Sequence, residues 1–357
     1  MGTPPGATMK FRVGITPDFA TQATGLLEPY FPEGLAGAEW EVMPDEGDTA
    51  RAETLDRYDG VIALSLRFPA SSLAGLQRLA IIARWGVGYD RIDVAACTSN
   101  DVILAITPDA VRRPVAEGIF AFIFALAKNL RLQDRLCREG RWRDELPRTA
   151  QNVEAKTLGS VGAGNIAGEM FRLARALGFG RLLAHDPFVT NGPDGVEMAS
   201  LETVMRESDF VAINCFLSDQ TRNLIGAREI GWMKPSAYLI NTSRGPIVNQ
   251  DALVAALRER RIAGAGLDVF ETEPAPASNP LLALDNVIVT PHAIAWTQES
   301  FRDNSLLACR NVMAVSRGEA PKHVVNREVL ERPGLQAKLA RWPSINKSTN
   351  QQINKSR

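Results

Sequence analysis

Three polar residues, Arg244, Glu273 and His292, each stand just past a short apolar run: AYLINT (237–242), GAGLDV (264–269) and NVIVTP (286–291). Such runs read as strands, and open α/β sheets place their ligands at the carboxyl ends of strands. The three side chains form a chemically coherent set. An arginine fork can hold the oxygens of a keto acid, and an imidazole can exchange a proton with the developing alkoxide. A carboxylate can orient and charge that imidazole. The chain has only 3 histidines. His185 precedes the acid discussed next and His323 lies near the C-terminal tail, which leaves His292 as the acid–base candidate. Each of the three also has an ordinary reading as a turn charge, a surface acid or a structural histidine, so the chemistry rests on the set.

The run TLGSVGAGNIAGEM (157–170) supplies the complementary half of such a reaction. Gly162 permits a tight turn after a strand, and Gly164 removes the side chain where a pyrophosphate must approach the backbone. The helix opening at Asn165 and Ile166 offers unpaired N–H groups to an anion. The third small position is Ala167, adequate for close helix–strand packing. Asp186 ends the apolar run RLLAHD (181–186), the distance at which a carboxylate meets the adenosine ribose hydroxyls. A carboxylate there would repel the 2′-phosphate of NADP, and Pro187, Phe188 and Val189 bring no arginine, so NAD is the expected cofactor.

The segments needed to position these residues alternate in the manner of parallel α/β sheets. FRVGIT (11–16), GVIALS (60–65) and LAIIARW (79–85) precede one long helix expected over 114–139, with Pro114 in its first turn. LGSVG (158–162), RLLAHD, FVAINC (210–215), AYLINT, GAGLDV and NVIVTP then supply a second, doubly wound sheet. The Asn-, Gln-, Ser- and Lys-rich end reads as a disordered tail over 331–357.

Composition narrows the class of protein. The 357 residues suffice for two domains, and a net charge of −1 without a basic stripe argues against nucleic-acid binding. The 4 cysteines, Cys97, Cys137, Cys215 and Cys309, are too scattered for a disulfide scaffold and read as reduced thiols. No apolar run reaches the length of a membrane span, and MGTPPGATMK lacks the apolar core of a signal peptide. The expectation is a cytoplasmic enzyme with no metal, no membrane and no nucleic-acid partner.

Seven ordered segments carry a resemblance over residues 10–328: ARWGVGYDRIDVAA (83–96), VAEGIFAFIFALAKN (115–129), TLGSVGAGNIAG (157–168), SDFVAINCFLSDQTRNLIG (208–226), MKPSAYLINTSRGPIVNQDAL (233–253), AGAGLDVFETEP (263–274) and NVIVTPHAIAWT (286–297). The chain resembles the D-isomer-specific 2-hydroxyacid dehydrogenases, which include phosphoglycerate, glyoxylate/hydroxypyruvate and D-lactate dehydrogenases. The resemblance implies two Rossmann-like or flavodoxin-like α/β domains with parallel sheets. A discontinuous substrate domain would span 9–111 plus 295–330, and a NAD-binding domain 112–294. It also implies that Arg244, Glu273 and His292 take the catalytic positions. Asp268 would contact the nicotinamide amide, Thr242 and Ser243 would lie near the nicotinamide, and Asn214 and Phe216 would contact the cofactor at a strand end. The family's carboxylate-binding loop falls on WGVGYD, where Gly86 and Gly88 would expose the amides of Val87 and Gly88 to an anion. Arg67 falls where the substrate domain faces the cleft, as a reader of the distal substrate group.

The chain also departs from the family pattern. Ala167 replaces a glycine, Asn165 a common basic residue, and Asn214 and Phe216 a more usual His and Pro. Trp296 stands in a segment that is ordinarily glycine- and serine-rich. It reads either as a wall selecting apolar or aromatic keto acids or as a packing residue. The partner expected is a small 2-keto or 2-hydroxy acid, and the helix at 114–139 with the loop holding Trp142 resembles the region through which relatives form homodimers. The competing class is an NADH-binding corepressor-like regulator, since corepressors of this family also carry a tryptophan shortly after the histidine.

Overall fold

The computed structural model describes residues 10–22, 29–146 and 149–342. The described residues form two compact units, one comprising those up to Val111 and from Thr297 to Trp342, the other Arg112–Trp296.

The first unit contains a five-stranded sheet of β1 (Arg12–Ile15), β2 (Glu39–Val42), β3 (Gly60–Ala63), β4 (Ile81–Arg84) and β5 (Ile103–Ala105), in the order β2-β1-β3-β4-β5. Every pairing is parallel. Central strands such as β3 (GVIA) are buried along their whole length, which is why they read as unbroken apolar runs. By contrast β2 (EWEV) is an edge strand with all four residues exposed, so no apolar run announces it. The helix Gln298–Ser316 adds Phe301, Ala308, Val312 and Val315 to the same core as Val13, Ile15 and Ile81.

The second unit carries a seven-stranded parallel sheet: β6 (Thr157–Val161), β7 (Arg181–His185), β8 (Glu197–Met198), β9 (Phe210–Ile213), β10 (Tyr238–Asn241), β11 (Gly264–Leu267) and β12 (Val287–Val289). Its order, β12-β11-β10-β9-β6-β7-β8, reverses direction at β6. That reversal leaves a crevice at the carboxyl ends of β6 and β9, the usual dinucleotide position in a doubly wound sheet.

Two expectations are corrected. The segment 114–139 is not one helix but two, Pro108–Ala127 and Leu130–Arg138, separated at Asn129, whose φ of +52° breaks the helical path. The first-turn proline is Pro108, and Pro114 lies inside the helix, where it costs the hydrogen bond to the Ala110 carbonyl. The tail expected from 331 is ordered to 342, with a helix at Pro333–Leu339. Leu335, Leu339 and Trp342 recur at helical spacing and are buried in the first unit's core, with Trp342 packed on Phe11 at 5.2 Å between ring centroids. Lys338 on this helix is also buried, its ammonium donating to the carbonyls of Leu79 (2.9 Å) and Asn100 (2.7 Å). Burial pulls this amine down to about 8. The polar composition of the last residues concealed an apolar stripe just before them, and residues 343–357 lie outside those described.

Candidate active site

Strands β10, β11 and β12 are neighbours in the sheet, so the turns that follow them converge. The turn after β10 carries Thr242, Ser243 and Arg244. Asn241 ties it, its side-chain amide donating to the Arg244 carbonyl (3.0 Å) and its carbonyl oxygen accepting from the Ser243 amide (3.0 Å). Gly245 then runs hard against the chain after β11. A Cβ there would lie 1.9 Å from the Phe270 carbonyl carbon, so only glycine allows the two turns to approach. Within the loop after β11, the Phe270 amide donates to Glu273 Oε1 at 3.0 Å and fixes that carboxylate.

The other oxygen of Glu273, Oε2, lies 2.8 Å from His292 Nδ1. A carboxylate can only accept, so the shared proton resides on Nδ1 and Nε2 is the working nitrogen. Burial pushes the Glu273 carboxyl up. The hydrogen bond and charge of His292, the Phe270 amide and the charge of Arg244 outweigh burial and hold it below the usual range. The Arg244 guanidinium donates to the Ser243 carbonyl at 2.8 Å.

Asp268, directly after β11, is almost fully buried. Burial pushes its carboxyl above the usual range, against the Thr290 hydroxyl, the charge of His292 and the amides of Ala293 and Ile294. Its Oδ1 takes three hydrogen bonds, from Thr290 Oγ1 (2.6 Å), Ala293 N (2.9 Å) and Ile294 N (3.1 Å). Its Oδ2 accepts none among the described residues.

The nucleotide turn has the form its sequence implied. Gly162 adopts φ +103°, and a Cβ on it would lie 2.6 Å from the backbone of both Asn214 and Cys215. Gly164 caps the helix Asn165–Ala176, and a Cβ there would meet nothing within 4 Å. The protein therefore has no packing reason of its own for glycine at 164, whereas a pyrophosphate seated on the helix terminus does. Asn165 is exposed there and Ile166 is half-buried against the core. Asp186 accepts from the Ala163 amide through Oδ2 and from the Phe188 amide through Oδ1, both at 2.9 Å, which locks the acid to the glycine turn. Asn214 is engaged within the protein, donating to Ser160 Oγ at 2.9 Å, and Phe216 is exposed. Ser243 Oγ donates to the Cys215 carbonyl and joins the ends of β9 and β10. These residues fit a dinucleotide.

In the first unit, Gly86 adopts φ +119° and its amide donates to Thr107 Oγ1 at 2.7 Å. Among the described residues the amides of Val87 and Gly88 donate to no protein acceptor, while Arg84 Nε donates to the Gly88 carbonyl at 2.7 Å. Arg67 pairs with Asp48 at 3.1 Å on an exposed surface. Trp296, at the end of the second unit, is 42% exposed. His185 and His323 have partners of their own, the Ala199 carbonyl (3.1 Å) and Asp109 (3.0 Å).

Sequence reasoning missed Ser160, Gly245 and Thr290, because each works by holding another residue. The signals were present: a polar residue in the apolar strand β6, a glycine directly after the arginine, and a hydroxyl two residues before the histidine.

A model of the D-isomer specific 2-hydroxyacid dehydrogenase NAD-binding domain matches residues 120–293. A glyoxylate reductase of Korarchaeum cryptofilum is 36% identical over 342 residues, covering 92% of this chain and 100% of the relative. A glyoxylate reductase of Pyrococcus furiosus is also 36% identical, with coverage of 92% and 99%. Among solved structures, D-lactate dehydrogenase from Aquifex aeolicus complexed with NAD and lactic acid superposes with a TM-score of 0.76 at 25% identity, covering 88% of this chain and 99% of that one. A glyoxylate reductase from Paecilomyes thermophila gives the same TM-score and identity, with coverage of 90% and 100%.

Proposed function

The chain belongs to the D-isomer-specific 2-hydroxyacid dehydrogenase family, and from that premise we propose that this NAD-dependent oxidoreductase reduces a small 2-keto acid of the glyoxylate type. The observation that carries the catalytic reading is the 2.8 Å pair between His292 Nδ1 and Glu273, with the Arg244 turn packed against the same loop at Gly245. Bound NADH supplies the hydride that adds to the carbonyl carbon. His292 Nε2 gives its proton to the carbonyl oxygen as the C–O bond loses double-bond character, and Glu273, accepting from Nδ1, orients the ring for that transfer. Arg244 binds the oxygens of the keto acid and stabilises the charge growing on the carbonyl oxygen. In oxidation His292 accepts the hydroxyl proton. The regulatory alternative is not favoured, since the relatives at 36% identity over the chain are reductases.

Gly162, Gly164, Asn165 and Ile166 hold the pyrophosphate, Asp186 the ribose, and Asn214 and Phe216 the cofactor at the end of β9. Thr242, Ser243 and Asp268 attend the nicotinamide, and the bare Oδ2 of Asp268 suits its carboxamide. The second unit is the NAD-binding domain and the first the substrate domain. There the amides of Val87 and Gly88 suit a carboxylate, with Arg67 a reader of distal groups. Trp296 limits the size of the acyl chain rather than recruiting aromatic acids, a reading supported by the glyoxylate-named relatives. Cell fractionation would test the cytoplasmic location, which the 4 free cysteines support.

Glyoxylate and hydroxypyruvate are expected to drive NADH oxidation with higher kcat/KM than phenylpyruvate or phosphohydroxypyruvate, monitored by NADH absorbance. A preference for phenylpyruvate would overturn the size assignment, and silence across all four would overturn the enzymatic one. A homodimer is proposed through the region of the helices Pro108–Ala127 and Leu130–Arg138, where Leu130 and Trp142 are exposed. Light scattering should return twice the chain mass, and a single-chain mass would refute it.

A further inference from the structure

His292 occupies a backbone conformation that is uncommon for residues other than glycine. Its φ is +54°, in a region that costs of order 1 kcal/mol or more. Such a conformation persists only where neighbours enforce it. Here the enforcement comes from one residue: the amide of His292 donates to the Asp268 carbonyl at 2.8 Å, and the amides of Ala293 and Ile294 donate to Asp268 Oδ1 at 2.9 and 3.1 Å. Three consecutive amides are thus gathered on Asp268. The carboxylate doing this is nearly buried, where a polar group depends on its hydrogen bonds to be satisfied. Besides the two amides it holds, its remaining side-chain hydrogen bond is from Thr290 Oγ1, at 2.6 Å and to the same oxygen. Thr290 is itself anchored, its amide donating to the Leu267 carbonyl at 3.0 Å beside Asp268.

We propose that Thr290 is a positioning residue for His292: its hydroxyl fixes the Asp268 carboxylate, and that carboxylate sets the main chain from which the imidazole reaches Glu273 and the substrate. This inference rests on the reading of His292 as the proton donor. Without the hydroxyl, Oδ1 retains only the two amides it is meant to hold, so carboxylate and loop can shift together. A displacement of about 1 Å at a reacting group can cost on the order of 100-fold in rate.

The experiment compares Thr290→Val, which removes the hydroxyl at similar volume, with Thr290→Ser, which keeps it, in the full chain. Thr290 is only half-buried, so both should fold, and melting temperatures identify any that do not. Thr290→Val is expected to lower kcat with glyoxylate about 10-fold or more, with KM changed less than about 3-fold. The Kd for NADH, read by fluorescence quenching, should rise by less than kcat falls, since Asp268 also attends the nicotinamide while the glycine turn and Asp186 keep their own contacts. Thr290→Ser should recover most of the lost kcat. If Thr290→Val does not fold, a Thr290→Ser kcat within about 3-fold of the parent together with a 10-fold loss in Thr290→Ala carries the same test. The proposal is overturned if removing the hydroxyl leaves kcat within about 2-fold, if Ser is as impaired as Val, or if weaker NADH binding accounts for the whole loss. His292→Gln run alongside separates the two readings, because full activity in that variant would remove the proton-donor assignment itself.

Discussion

Exchange of His292 for glutamine is expected to lower kcat for keto-acid reduction by about two to four orders of magnitude, the usual worth of a positioned general acid. Glutamine can still hydrogen-bond to Glu273 but has no proton to release, so the loss separates proton transfer from positioning. NADH binding should persist, since the glycine turn and Asp186 lie on other strands of the sheet. A variant with kcat within 10-fold of the parent on a good substrate would remove His292 from the chemistry. Glu273→Gln tests the other half of the pair. Above its depressed folded value the Glu273 carboxylate is charged and accepts the Nδ1 hydrogen bond of His292. Acid lowering pH through that value discharges the carboxylate and weakens the pair. The amide does not titrate, so the acid limb that reflects protonation of Glu273 should be missing from the Glu273→Gln profile. An unmoved profile would mean the carboxylate merely packs there.

Arg244→Ala is expected to lower kcat/KM about 1,000-fold, or about 4 kcal/mol at 1.36 kcal/mol per decade. Its guanidinium is the cation that the site brings toward the keto-acid oxygens, and its loss removes both orientation and charge stabilisation. Lysine restores the charge but not the planar fork, so Arg244→Lys should recover only part of the loss. A kcat/KM for Arg244→Ala within 10-fold of the parent would contradict the assignment. A matching fall in melting temperature would instead indicate that Arg244 mainly braces the turn whose Ser243 carbonyl it contacts.

Much of the architecture was legible because parallel strands buried on both faces announce themselves as apolar runs. Strands β3, β4, β9 and β10 all lie within runs read from sequence, and β6 overlaps one. Elements without that signature were not legible. Edge strand β2 alternates glutamate with Trp40 and Val42 and is recognisable only by its pairing with β1. The two-residue strand β8 is too short to show a pattern. The break at Asn129 depends on one residue's tolerance of positive φ, which an apolar periodicity continuing past it conceals. The C-terminal helix was hidden by averaging its Leu335, Leu339 and Trp342 stripe with the polar residues after it.

The sequence by itself determined the local chemistry: the glycine turn at 162–164 opening onto a helix, an acid ending the next strand, and an arginine, a glutamate and a histidine each past a strand. Such features depend on backbone conformation and residue type over a few positions, so they survive without knowledge of the fold. Tertiary structure alone decided which of them meet. Only the adjacency of β10, β11 and β12 brings residues 244, 273 and 292 together, and only the absence of a side chain at Gly245 lets the arginine turn close on the glutamate loop. The strained main chain of His292 and its dependence on Asp268 and Thr290 belong to the same category. A clamp made of hydrogen bonds across neighbouring strands leaves no periodicity in the chain, because its geometry exists only once the strands are paired.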